Sequence, residues 1–157
     1  MKSLIAVLMC MAALALPWQV QPQSRPQSDA DDIREAVFRH MFQKNASSLR
    51  QSAAVYCLSI AGGDPGDAFM SRFGKHQPPV KKASECVVSE AHGVLDKATS
   101  ARGLIFRVVK IEQTGDAKAT VEGGYYEGNM SASGNIYTLE KMNGVWRVVG
   151  DVMLWIS

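Results

Sequence analysis

Residues 104–113, 117–127, 136–142 and 145–156 form four β-rich runs in succession, divided only by short polar segments. This pattern constrains the fold more than any other feature of the chain. Strands joined this closely pair as antiparallel neighbours, because a parallel return needs a crossover of a dozen or more residues. The connectors agree: Thr114-Gly115-Asp116 reads as a turn, residues 129–134 (NMSASG) as a loop, and Asn143-Gly144 as a two-residue hairpin. Along the second run Ala119, Val121 and Tyr125 alternate with Lys118, Thr120 and Glu122, the signature of a sheet buried on one face. Gly123-Gly124 interrupts that run and predicts a bulge, a bend or a close backbone approach, hence a curved sheet.

A half-buried sheet needs a cover, and the segment before it supplies one. Ile33, Val37 and Met41, with Ala36, Phe38 and Phe42, recur at helical spacing, while Arg34, Glu35, Arg39 and Gln43 fall on the opposite side. With Asp32 and Glu35 read as a capping pair, the spacing predicts a helix over 32–44. Residues 55–60 predict a first strand closed by Gly62-Gly63. Asp64 as N-cap and Pro65 at the first helical position then predict a short helix through Phe73, with Phe69, Met70 and Phe73 on its buried side. After Pro78-Pro79, residues 80–89 predict a strand and 90–102 a loop. The expected fold class is α+β: an N-terminal helix on a curved antiparallel β-sheet, with one short extra helix. A chain of 157 residues carries one such domain.

At the N-terminus Lys2 precedes an apolar run from Leu4 to Leu16 that Pro17 ends, the pattern of a signal peptide over residues 1–16. The run of about 13 residues is short of the ~20 needed to span a bilayer, so no transmembrane anchor is expected in the mature chain. Cys10 lies mid-run behind Met9, out of place for lipid attachment. Residues 17–31, opened by PWQVQPQSRPQS, read as a flexible linker, and 32–157 as the folded domain. Export to a periplasmic or secreted location leaves Cys57 and Cys86 where disulfides persist. One bridge between them would close a loop of roughly 28 residues and contribute ~3–4 kcal/mol; the alternative is two buried thiols.

A net charge of +2 and scattered basic residues exclude a nucleic-acid surface. No nucleophile elbow, paired-histidine zinc motif or phosphate loop occurs, so neither a cofactor nor a metal ion is implied. His40 on the helix and Asp151 in the last strand are the candidates for acid or base chemistry: a histidine can be a general base, and a carboxylate near an apolar face can have its pKa raised. His76 and His92 read as loop residues. Tyr125, Tyr126 and Trp155 supply aromatic surface for a ligand, with core packing as the alternative role.

One helix, a short helix and a long curved sheet follow the element order of cystatin-like and NTF2-like α+β domains. The Gln-x-Val-x-Gly hairpin of cystatin inhibitors is missing around Val148-Val149-Gly150. Through REAVFRHMF (34–42), DPGDAFMSRF (64–73), GGYYEGNMSASG (123–134) and WRVVGDVMLWIS (146–157), residues 33–157 also resemble a family of small secreted bacterial proteins to which no activity is assigned. That resemblance implies a compartment and nothing about chemistry. The expected function is non-catalytic binding of a small apolar ligand or a protein partner. The alternatives are an NTF2-like hydrolase or isomerase using His40 or Asp151 as acid or base in an apolar pocket, and an inhibitor or immunity-type interaction module.

Overall fold

The computed structural model describes residues 26–157; the expected leader and residues 17–25 of the expected linker lie outside them. The chain runs α1 (Pro26–Lys44), β1 (Val55–Ile60), α2 (Asp67–Met70) continued by a 3-10 turn (Ser71–Phe73), β2 (Val80–Lys82), a second 3-10 turn (Ala83–Glu85), β3 (Cys86–Ser89), β4 (Gly93–Asp96), β5 (Gly103–Gln113), β6 (Lys118–Gly128), β7 (Ser131–Met142) and β8 (Val145–Ile156). A six-stranded sheet has the order β2-β1-β5-β6-β7-β8, and β3-β4 form a separate hairpin. The fold is α+β with a mostly antiparallel sheet, as the sequence predicts.

The meander β5 to β8 follows from local signals. Asn143 and Gly144 both take positive φ, 52° and 78°, as the tightest hairpin turn requires. Gly124 is bare because Ser133 of β7 approaches it: a Cβ there would lie 2.0 Å from the Ser133 carbonyl oxygen. Opposite this region the β5–β6 register shifts between Val108 and Lys110, so both a bulge and a close approach occur at the Gly123-Gly124 position. The segment 129–134 is not a loop throughout: only Asn129 and Met130 turn, and β7 starts at Ser131.

Three readings of the first half need correction. Helix α1 starts at Pro26, inside the expected linker; proline suits the first helical position, and Asp29 in the first turn is tied to Lys141 at 2.7 Å. Asp32 and Glu35 are consequently inside the helix, where both accept hydrogen bonds from Arg72 and hold the 3-10 turn against α1. Asp64 does not cap α2. The cap is Gly66, and Asp64 accepts the backbone N–H of Ser84 instead.

The run 80–89 is likewise two strands rather than one. Glu85 turns back to accept the N–H of Lys82, breaking the run at 83–85, so that β2 joins the main sheet and β3 pairs with β4. The expected loop 90–102 therefore contains β4. Strand β1 has the predicted bounds but lies parallel to both β2 and β5, so the sheet is not antiparallel throughout.

Both faces of the sheet are covered at the β1–β5 side. On the inner face Phe38 and Phe42 of α1 pack with Phe69, Phe73, Tyr56 and Phe106 in a continuous aromatic cluster. His76 closes it against Phe42 and Tyr56, half-buried rather than an exposed loop residue. On the outer face the β3–β4 hairpin covers Val55, Cys57 and Ile105. It is fixed by the Cys57–Cys86 disulfide, with Cα atoms 6.5 Å apart, and by buried Asp96, whose carboxylate accepts hydrogen bonds from Thr99 and Lys81. Those bonds hold the Asp96 pKa below the ordinary range.

Candidate functional site

His40 and Asp151 converge. His40 sits on the flank of α1 facing β8, and Asp151 points to the inner face because it pairs with Tyr137 across the β7–β8 ladder. His40 Nε2 lies 3.1 Å from Asp151 Oδ2, a hydrogen bond when that nitrogen carries the proton. The second carboxylate oxygen, Oδ1, accepts the Asn135 side-chain N–H at 2.7 Å, and Asn135 in turn accepts the Ser133 hydroxyl at 2.8 Å. Tyr137 meets the His40 ring edge to face at 5.7 Å. Burial pushes the Tyr137 hydroxyl strongly up, and the nearby Asp151 charge adds to it, so the group stays a neutral proton donor.

Beside Asp151 opens a cleft of about 200 Å³, lined by Lys44, Tyr125, Ser133, Asn135, Tyr137 and Met153 among others. Its wall is of mixed polarity and its volume falls below the ~300–1,000 Å³ typical of sites for drug-sized ligands. A second cleft of about 340 Å³, with more apolar than polar wall, lies between α1 and the β7–β8 hairpin, lined by Glu35, Ala36, Arg39, Val145 and Trp146 among others. Sequence reading missed Ser133, Asn135 and Tyr137. Period-two counting along β7 places all three on one face, but the expected loop 129–134 takes in Ser133, and of the three only Tyr137 falls within the expected strand 136–142.

The three aromatic candidates lie apart. Tyr125 is buried on the inner face and borders the cleft. Tyr126 points the other way, packs against the disulfide side of the sheet, and donates its hydroxyl to Asn129. Trp155 lies at the sheet's border over the backbone of Gly134, where a Cβ would come within 2.3 Å of the indole nitrogen. Among the described residues no group of three or more His, Cys, Asp or Glu side chains is placed to hold a metal ion.

Trp155 belongs to the most unusual surface of the molecule. Strand β8 ends the sheet, and Val145, Val149, Val152, Met153, Leu154, Trp155 and Ile156 are all about half exposed or more, Val152 reaching 61%. From Val152 to Ile156 the strand carries no charge. Register shifts at Gly134/Asn135 and Thr138/Leu139 bulge β8 twice, yet neither bulge places a charged or proline residue on the outermost strand. Proteins usually blunt a free edge with such residues, and a large contiguous apolar patch marks an interaction surface.

A second buried carboxylate lies at the far end of α1. Glu127, 7% exposed, accepts hydrogen bonds from the hydroxyls of Ser47, Ser48 and Ser131. Burial pushes its carboxyl up, but the Ser47, Ser131 and Ser48 hydroxyls and the Ser48 amide outweigh that and lower it. This arrangement fastens the segment after α1 to the β6–β7 turn and uses all of its oxygens internally.

No protein-family model, curated protein or solved structure matches the chain. No helix among the described residues is long and apolar enough to cross a membrane.

Proposed function

We propose that this is a non-catalytic binding domain of the extracytoplasmic space, and that its ligand is a protein partner engaged along the β8 border. One observation carries the reading: the outermost strand presents seven large apolar side chains to solvent, while the inner face of the sheet buries its aromatic cluster under α1. Of the two ligand classes expected from the sequence, a small apolar molecule would need an enclosed apolar cavity, whereas the cleft beside Asp151 is open, about 200 Å³ in volume and of mixed polarity. The Cys57–Cys86 disulfide is compatible with export. The test is a photo-crosslinking side chain placed at Val152 in the cells that make the protein, with Lys110, exposed in the middle of the sheet, as control. A protein-sized adduct at 152 and none at 110 is expected; absence of an adduct at 152 overturns the reading.

A second reading, acid–base catalysis of the hydrolase or isomerase kind, is favoured by the His40–Asp151 contact beside a cleft that also holds the Tyr137 hydroxyl. Turnover of simple esters or enolisable ketones that is lost in both His40→Ala and Asp151→Asn, with unchanged melting temperature, would support it. No turnover by the unaltered protein removes it.

A further inference from the structure

The cleft beside Asp151 holds polar groups of both signs that the fold leaves without partners, and we propose that it binds a small zwitterion, a free amino acid whose ammonium meets Asp151 and Tyr137 and whose carboxylate meets Lys44. The inference goes beyond both readings above and rests on neither, since occupancy of the cleft requires no turnover and nothing at the β8 border.

The sheet supplies the floor. Tyr125 of β6 pairs with Ser133 of β7, and Asn135 and Tyr137 pair with Met153 and Asp151 of β8, so side chains from three neighbouring strands stand on one face. The last turn of α1, with Lys44, forms the opposite wall. One hydroxyl in this space lacks a partner. Tyr137 is 3% exposed, yet its hydroxyl makes no hydrogen bond among the described residues, although a polar group this deep is ordinarily paired. The side chain lines the cleft, and its oxygen can both donate and accept.

Two opposite charges border the same space without meeting. Among the described residues Lys44 makes no ion pair and Asp151 makes one, to His40. Each Asp151 oxygen faces a single donor, His40 or Asn135, so the ionised carboxylate keeps about half of its ~four acceptor sites for a ligand. A simple anion would be repelled by Asp151, and a simple cation by Lys44. A molecule carrying both charges meets a complement on each wall. Size is limited by the volume: about 200 Å³ holds roughly seven water-sized groups at ~30 Å³ each, the bulk of a small amino acid.

Titration followed by amide NMR shifts, on the protein purified from the cells that make it, tests the assignment. Glycine, β-alanine and γ-aminobutyrate place the two charges at increasing separation, and at least one should bind with a Kd of about 1 mM or tighter. The matching single-charge analogues should bind at least ~tenfold more weakly: acetate and methylamine for glycine, propionate and ethylamine for β-alanine, butyrate and propylamine for γ-aminobutyrate. Lys44→Met and Tyr137→Phe should each weaken the zwitterion about tenfold or more at an unchanged melting temperature, because each removes one charge-assisted hydrogen bond and little packing. No saturable binding by any of the three, a single-charge analogue that binds as tightly, or a native-like variant that binds undiminished overturns the proposal. If one variant fails to fold, the other decides. Loss of this proposal leaves the crosslinking test at Val152 standing, and binding without turnover removes the catalytic reading alone.

Discussion

The two borders of the sheet are built on opposite principles. At the β2 border the strand has three residues, the aromatic cluster packs on the inner face of its neighbour β1, and a disulfide-tied hairpin covers the outer face. At the β8 border the strand has twelve residues and is joined to α1 by the His40–Asp151 contact. Short and covered is the usual way to close a sheet; long, apolar and bare is how a sheet is left open for something else. The difference teaches which border carries the packing that stabilises the molecule and which leaves apolar side chains in water.

Substitutions can break that comparison. Phe106→Ala removes a fully buried ring that touches Phe42 and Tyr56, and should cost about 3–5 kcal/mol in urea denaturation. Replacing Cys57 and Cys86 together by alanine should cost ~3–4 kcal/mol and make the β3–β4 hairpin the first site of limited proteolysis. Glu127→Gln should cost about 1–3 kcal/mol by weakening the acceptor for three hydroxyls, that of Ser47 buried.

The pH dependence at Glu127 has a definite sign. With the carboxyl depressed in the folded state, its contribution is present above the ordinary glutamate pKa and is lost as pH falls through the lowered one. The Gln variant should therefore show a flatter acid side in a stability–pH profile. At the bare border, Val152→Ala should change stability by no more than ~0.5 kcal/mol. A cost at residue 152 as large as that at residue 106 would erase the contrast between the borders.

How much of this was legible depends on the range of the interactions involved. The meander follows from period-two alternation and from Asn143-Gly144, and the limits of β1 from a short β-rich run closed by Gly62-Gly63, signals contained within a few residues. The buried stripe of α1, Ile33, Val37, Phe38 and Met41, was equally plain. What stayed hidden was set from a distance. Arg72 claims the Asp32 and Glu35 carboxylates that looked like a helix cap, and Ser84 claims Asp64. Strand β1 reaches its place between β2 and β5 through pairings that no local pattern encodes.

The candidate site shows the same division. His40 and Asp151 could be named one by one, but 111 positions separate them, and only the fold brings them within hydrogen-bond reach. The five apolar residues after Asp151 read correctly as strand. Apolar content alone does not reveal that, among the described residues, no other element covers them.

The indole of Trp155, resting on the bare backbone of Gly134 with one side toward water, gives the β8 border an intrinsic optical probe. Its emission depends on how wet that side is. A partner of the kind proposed would dry the ring and shift the fluorescence toward the blue, so the proposal can be followed without attaching a label.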